Sequence, residues 1–144
     1  MNKKHVTAKS KWASYLKRRV QIVEIYNEHS QYHREEPHLD YSKLVKHELL
    51  HCFYDPNVKG GILVERLLEQ ESIALITFAC VEVPMQNKGV CRSLLQFAEE
   101  ELKKIDCSLV GVQVNKHDNR DFWHKNGFVE EIPHQGISVL LKAV

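Results

Sequence analysis

The segment from Gln86 to Arg92 combines residue types that bind anions in proteins. Gly89 lies between Lys88 and a second cation, Arg92, after an apolar run and at the start of a predicted helix. Backbone N–H groups in the first turn of a helix lack intrahelical partners, and together with the helix dipole they attract phosphate. Glycine also lets an anion approach without a Cβ in the way. The segment therefore predicts a phosphate-binding loop, although many strand-to-helix loops with one glycine bind nothing.

A second arrangement that could do chemistry is His47-Glu48-Leu49-Leu50-His51. Two histidines four residues apart on one helix face can chelate zinc, and the glutamate between them can activate water. A zinc hydrolase that uses His47, Glu48 and His51 is therefore an open alternative. The 9 histidines in 144 residues make coincidence common, and the acids downstream, Glu65 and Glu69, fall in a predicted β-hairpin. We therefore predict an ordinary amphipathic helix here and no metal site.

Hydrophobic spacing predicts eight elements in the order α, α, β, β, α, β, α, β. The predicted helices cover 10–28, 41–52, 90–104 and 119–125, and the predicted strands cover 62–68, 73–83, 108–114 and 137–142. The first two strands form a hairpin around 69–71, and Pro84 stops the second from pairing further. The crossover through 90–104 places its two flanking strands parallel in one sheet. The anion-binding loop thus lies between a strand and the crossover helix.

Composition restricts the class of protein. The 144 residues, 43% of them hydrophobic, predict a single globular domain. The formal net charge of +1 gives no general attraction to nucleic acid or to an anionic membrane, and no apolar run has membrane length. Four cysteines without CxxC spacing and the lack of a cleavable signal predict free thiols and an intracellular setting, cytoplasmic or nuclear.

Two segments resemble motifs of the GNAT superfamily of acetyl-CoA-dependent N-acetyltransferases. The run from Phe78 to Leu95 is similar to the superfamily's first motif, whose loop reads Gln or Arg, two residues, Gly, one residue, Gly or Ala. The run from Phe122 to Phe128 resembles the second motif, an aromatic pair, a lysine and Gly-Phe. Gly60-Gly61-Ile62 is similar to a strand start in the histone and lysine acetyltransferase branch. The resemblance covers residues 58 to 142.

This resemblance implies the fold and the place of the cofactor. The expected fold is an α/β (α+β) domain over 1–144, with a mixed, mostly antiparallel central sheet flanked by helices, two of them in the N-terminal region, residues 1–57. The acetyl-CoA-binding core would be 58–144, with the pantetheine arm between strands 73–83 and 108–114, bonded to backbone groups at Ala79, Val81 and Val83. The remaining residues implied to bind the cofactor are Gln86, Asn87, Lys88, Gly89, Val90, Cys91, Arg92, Phe122 and Trp123.

The resemblance also implies a mechanism, in which the Ala79 amide polarises the thioester carbonyl as a primary amine attacks. The position of the catalytic glutamate in the lysine-acetylating branch is Leu75, which cannot accept a proton, so Glu65 and His117 are the candidate bases. Trp123 stands where many members have a tyrosine that protonates the departing thiolate. Cys91 replaces a glycine or alanine. Because it lies at a predicted helix N-terminus, where a thiolate is favoured, a reactive thiolate at Cys91 is an open alternative.

The expected activity is transfer of an acetyl group to a primary amine, either a protein lysine or a small amine. Leu75 and Trp123 leave a second alternative, a coenzyme A-binding or interaction module with weak or no turnover. The sequence does not identify the acceptor or the oligomeric state.

Overall fold

The computed structural model describes residues 2–29, 46–86, 88–114, 120–134 and 137–144, which form one seven-stranded sheet with helices on both faces. The strand order is β1-β2-β3-β4-β5-β7-β6, in which β4 and β5 are parallel and all other neighbours are antiparallel. The strands are β1 Lys4–Thr7, β2 Leu50–Tyr54, β3 Gly60–Arg66, β4 Ile73–Val81, β5 Leu109–Val114, β6 Glu130–His134 and β7 Ile137–Ala143. The helices are α1 Trp12–His29, α2 Val90–Lys104 and α3 Arg120–Lys125, with 3₁₀ turns at His47–Leu49 and Val83–Met85. The predicted mixed, mostly antiparallel fold is confirmed.

Helix α1 covers one face of the first four strands. Its buried side chains Tyr15, Ile22 and Val23 pack with residues of β1 to β4. Tyr15 and Ile22 are seven residues apart, about two helical turns, and so share one face of the helix. Two polar side chains of α1 also hold the turn before β3. Arg18 donates to the Val58 carbonyl at 2.9 Å, and the Gly60 amide donates to Gln21 at 3.0 Å. The helix thereby fixes the start of the strand that lies beside β4.

Helix α2 covers the opposite face and has the bounds that the sequence predicts, Val90 to Lys104. Its buried residues are Val90, Leu94, Leu95, Ala98 and Leu102, which pack into the larger core cluster with β3, β4 and β5. Burying an aliphatic side chain of this kind contributes about 1.5–3 kcal/mol. The first turn of α2 is thereby held against the end of β4.

The N-terminal region differs from the prediction of two helices. Residues 41–45 of the predicted second helix lie outside the described residues, and from His47 the chain forms a 3₁₀ turn and then β2. Strand β2 is buried on both faces, so its apolar residues do not alternate with polar ones. A continuous apolar run of this kind cannot be distinguished from part of a buried helix by its periodicity. Strands β1 and β6 were also not predicted. None of the described helices is long and apolar enough to span a membrane.

The N-terminal edge of the sheet contains a buried histidine pair. His5 Nε2 and His51 Nδ1 are 2.8 Å apart, and His51 is 2% exposed. Burial, and then the proximity of His5 and Arg66, lowers the pKa of His51 to about 3. Burial also lowers the pKa of His5, although Glu101 opposes this shift.

We predict that replacing His51 with phenylalanine makes the free energy of unfolding fall less steeply as the pH is lowered below 6.5. As the pH falls from 6.5 toward 3, the unfolded chain binds a proton at His51 that the folded chain excludes. Each such group lowers the free energy of unfolding by about 1.4 kcal/mol per pH unit in that range. Urea titrations between pH 7 and 5 measure the slope, and His124→Asn, which removes an exposed histidine, should keep it. An unchanged slope in His51→Phe contradicts the assignment.

Candidate active site

The two parallel strands in the middle of the sheet separate before they end. Strand β4 pairs with β5 from Ile73 opposite Leu109 to Ile76 opposite Val112, and this ladder stops there. Strand β4 continues to Val81 beside β3, whereas β5 continues to Val114 beside β7. The separation coincides with an irregularity in the β3–β4 register between Leu63 and Val64. The sheet therefore contains an internal gap, as the resemblance implied.

The backbone of β4 directs polar groups into this gap. The Glu82 amide donates to the Lys59 carbonyl at 3.0 Å and so points toward β3. Amides of an extended strand alternate between its two sides, so those of Ala79 and Val81 point away from β3 and into the gap. The Val81 carbonyl has the same direction, since it accepts a hydrogen bond from Gln86 Nε2 at 3.1 Å. The Ala79 and Val81 amides are thus available to an extended ligand.

The gap opens into a cleft of about 480 Å³ between β4, β5, α2 and α3. It brings together nine of the residues predicted to form the site: Ala79, Val81, Gln86, Gly89, Val90, Cys91, Arg92, Phe122 and Trp123. They come from two segments that are distant in sequence, 79–92 and 122–123, and they line the same cleft. The predicted pyrophosphate loop and the predicted aromatic motif therefore belong to one site.

The loop before α2 has the geometry of an anion site. Gly89 is the N-cap of α2 with φ 76°, and the cap has no side-chain hydrogen bond to the first turn. A Cβ added at Gly89 would meet no atom within 4 Å, so the space above the helix N-terminus is open. The first turn of α2 contains no acid, and Arg92 lines the cleft. These features fit the pyrophosphate of coenzyme A.

Two cysteines line the same cleft as thiols. Burial raises the pKa of Cys91 to about 11, and burial together with the nearby Cys91 raises that of Cys80 to about 12. Cys80 Sγ donates to the Ile22 carbonyl of α1 at 3.2 Å. Burial therefore disfavours a reactive thiolate at Cys91.

Helix α3 supplies an aromatic wall. Phe122 and Trp123 line the cleft and meet edge to face, with ring centroids 5.0 Å apart. Trp123 also packs edge to face on the buried ring of Phe128 at 5.4 Å. The indole contributes shape and apolar surface, and its N–H is too weak an acid to protonate a thiolate.

Other predicted site residues lie elsewhere. Glu65 is exposed on β3 opposite Leu75, where β4 is still paired with β5, and the structure does not bring it into the cleft. Val83 belongs to a 3₁₀ turn because β4 ends at Val81, and exposed Lys88 does not line the cleft. Asn87 and His117 lie outside the described residues.

Leu75 is accommodated by a glycine on the neighbouring strand. Its register partner in β5 is Gly111, and a Cβ at Gly111 would approach Leu75 Cδ2 to 2.9 Å. The Leu75 side chain therefore packs across the Gly111 backbone. The position that holds a glutamate in the lysine-acetylating branch is apolar and closely packed here.

The zinc alternative is not supported by the geometry. His47 lies in a 3₁₀ turn and His51 in β2, so the two do not share a helix face. His51 is paired with His5, and Glu48 is exposed, 3.9 Å from Lys9. In the described regions of the chain, no group of three histidine, cysteine or acidic residues is placed to hold a metal ion.

Several cleft residues were not predicted from the sequence. They are Tyr26, Ile76, Thr77, Phe78, Cys80, Met85, Val112 and Gln113. Tyr26 comes from α1 and packs edge to face on Phe78, with centroids 5.2 Å apart. From the sequence, the periodicity of α1 predicts only that Tyr26 lies on the apolar face of the helix. Thr77 and Gln113 follow directly after the last β4–β5 pair, and only the end of that ladder identifies them.

A split sheet beside an open helix N-terminus is an arrangement that suits a nucleotide-linked acyl carrier. The sequence profile of the Acetyltransferase (GNAT) family matches residues 17–128. The chain therefore belongs to the GNAT family, whose members use acetyl-CoA, and its general activity is that of an acetyltransferase.

Solved structures share this fold at low sequence identity. Tetrahymena GCN5 superposes with a TM-score of 0.71 at 12% identity, covering 100% of this chain and 96% of that one. A GNAT-family acetyltransferase from Staphylococcus aureus Mu50 gives 0.69 at 11% identity, covering 99% of each chain. PaiA N-acetyltransferase from Thermoplasma acidophilum, solved with coenzyme A, gives 0.56 at 14% identity, covering 100% of each. At these identities the likeness is one of fold. A search of curated proteins gave no significant match.

If the loop at Gly89 binds the pyrophosphate, a negative charge placed there should weaken acetyl-CoA binding. Two variants of the same shape, one charged and one neutral, isolate this effect of charge. Asp and Asn both tolerate the left-handed backbone of Gly89, and the space above it accepts either side chain. Gly89→Asp places a negative charge beside the pyrophosphate and should weaken acetyl-CoA binding at least about tenfold relative to Gly89→Asn. Calorimetric titration measures both dissociation constants. Equal affinity of the two variants would refute the loop assignment.

Proposed function

We propose that this protein is an N-acetyltransferase that acetylates a primary amine by direct attack on the thioester of acetyl-CoA. The observation that carries the proposal is the pair of β4 amides, Ala79 and Val81, directed into a cleft that also contains the loop at Gly89. When bound, acetyl-CoA supplies an activated acetyl group that the amine accepts while the thiolate leaves.

The residues divide the work along the cleft. The first turn of α2 and Arg92 would hold the pyrophosphate, and the Val81 amide would bond the extended arm. Gln86 is held against the Val81 carbonyl and would border the same arm. The Ala79 amide would donate to the thioester carbonyl oxygen and stabilise the negative charge that develops there. A donor of this type contributes about 3–4 kcal/mol to catalysis.

The acceptor amine must lose a proton, but the position of Leu75 offers no carboxylate that could remove it. An amine must be neutral to attack, and a lysine has a pKa near ~10.4. His117 follows β5 in the sequence, and β5 borders the gap, so we propose it as the base in preference to Glu65. Coenzyme A thiolate is a good leaving group, with a thiol pKa of about 8.5, so Trp123 at the acid position is compatible with turnover.

For the acceptor we propose a protein lysine ahead of a small amine. Support comes from the similarity of residues 60–95 to the lysine-acetylating branch. PaiA N-acetyltransferase and an aminoglycoside acetyltransferase share the same fold, so fold similarity does not distinguish between acceptors.

We also propose an intracellular location, cytoplasmic or nuclear, because the four cysteines are free.

A thiol-release assay tests the proposal. The purified protein is mixed with acetyl-CoA and a panel of lysine peptides, polyamines and small amines, and free thiol is followed over time. The proposal expects release above the acceptor-free rate with at least one amine class. Measurable acetyl-CoA affinity with no release for any amine favours the alternative, a coenzyme A-binding module without turnover, and the apolar pair Leu75 and Trp123 would then explain the loss.

The role of the Ala79 amide is testable because β3 does not use it. Ala79→Pro deletes an N–H that points into the gap, so no hydrogen bond of the β3–β4 ladder is lost. We predict a fall in kcat of about 100- to 1,000-fold with acetyl-CoA affinity changed by much less. Ala79→Gly keeps the N–H and is the matched control. Wild-type kcat in a folded Ala79→Pro variant would show that this amide does not stabilise the transition state.

A further inference from the structure

Helix α3 carries the aromatic wall of the cleft and contacts the core through the partly buried side chains of Phe122 and Trp123. It has only six residues, Arg120–Lys125, and none of them is buried. Phe122 and Trp123 nevertheless line the cleft, opposite the loop at Gly89. A helix this short is marginal without tertiary contacts. Its placement therefore depends on its tertiary contacts, including those at its C-terminal end.

The chain turns into the core immediately after α3. The Gly127 amide donates to the His124 carbonyl at 3.1 Å, and the Phe128 amide donates to the Trp123 carbonyl at 3.0 Å. Gly127 has φ 95°, which suits glycine at a helix C-terminus. This turn buries the Phe128 ring beneath Trp123. The orientation of the wall is thus set by the segment from Asn126 to Phe128.

One side chain joins this segment to α2. Lys142 of β7 places Nζ 2.6 Å from Glu99 Oε1 of α2 and donates to the Asn126 carbonyl at 2.9 Å. The same Nζ lies 5.8 Å from the centre of the Phe128 ring. The Glu99 side chain is 12% exposed and that of Lys142 is 31% exposed, so this ion pair is largely shielded from water.

The aliphatic stem of Lys142 is packed as well. A Cβ at Gly127 would come within 3.0 Å of Lys142 Cε and 3.2 Å of Cδ, so the stem of the lysine lies directly against the glycine. The packed stem thus directs the ammonium group between α2 and the end of α3. Methionine has a stem of similar length and no charge, which makes Lys142→Met a variant that removes the ion pair with little loss of volume.

We propose that Lys142 is a positioning residue of the cofactor cleft. By joining Glu99 of α2 to the Asn126 carbonyl, it fixes the wall of Phe122 and Trp123 relative to Gly89, because Gly89 begins the same helix that carries Glu99. The inference rests on the proposed function, since it assumes that this cleft holds acetyl-CoA. Lys142 touches neither the cofactor nor the acceptor in this account and acts through α3.

An ion pair between α3 and β6 supplies the control. Arg120 lies 3.2 Å from Glu131 of β6, but these side chains are 30% and 42% exposed. Water screens such a pair, so Arg120→Gln should leave the wall in place. Lys142→Met removes the ion pair between β7 and α2 together with the hydrogen bond to the end of α3. Arg120→Gln removes an ion pair that joins α3 to β6 and does not involve α2.

The experiment separates positioning from stability. Trp12→Phe leaves Trp123 as the single tryptophan, and acrylamide quenching of its fluorescence without ligand reports how firmly the wall is held. In this background we compare Lys142→Met, Lys142→Arg, Arg120→Gln and the double variant Lys142→Met/Glu99→Gln. The double variant removes the unpaired carboxylate that Lys142→Met leaves behind, so its thermal stability should return toward that of the parent.

We expect Lys142→Met and the double variant to show stronger quenching of Trp123 and a KM for acetyl-CoA raised about tenfold or more, with a smaller change in kcat. Lys142→Arg should restore some of the affinity, and Arg120→Gln should match the parent. If the double variant regains both stability and the parental KM and quenching, Lys142 is merely structural and the inference is overturned. Quenching needs no ligand, so failure of the parent to bind acetyl-CoA would refute the proposed function separately.

Discussion

The separation of β4 from β5 after Ile76 and Val112 is the constraint on which the rest of the site depends. A parallel pair normally satisfies its backbone groups along its whole length, and here the ladder ends after four register pairs. The remainder of β4 stays attached to β3, which α1 fixes through Arg18 and Gln21. The first turn of α2 lies beside the opening. The same chain segment thus provides the exposed strand edge and, a few residues later, the positive end of a helix.

Unpaired backbone groups inside a sheet require a partner, because leaving them dry and unbonded costs free energy. Gln86 satisfies the Val81 carbonyl, while the Ala79 and Val81 amides face the cleft. A ligand that suits this edge is extended and carries its own amides and carbonyls, as the pantetheine arm of coenzyme A does. We therefore propose that the cleft selects the cofactor through backbone geometry. Its side chains, Cys91 and Trp123 among them, differ from the family pattern without removing the free edge of β4.

The sequence predicted most of the elements that line the cleft, because those elements carry strong local signals. Helix α2 has a regular apolar stripe and the predicted bounds, and Gly89 ends the loop before it. Strand β2 was misread because it is buried on both faces and does not alternate, and β6 was missed because it is an exposed edge with two acids and a proline. Tyr26 and the ion pair of Lys142 with Glu99 could not be predicted, since each depends on contacts between distant segments.

Residue-resolved amide hydrogen exchange, measured by NMR with and without coenzyme A, tests the central claim most directly. Without ligand, the Cys80 amide should already be protected by the ladder with β3, whereas those of Ala79 and Val81 should exchange faster. Saturation with coenzyme A should slow exchange at Ala79 and Val81 and change Cys80 little. Binding of coenzyme A that leaves the Ala79 and Val81 amides unprotected would contradict a cleft in which the free edge of β4 holds the cofactor.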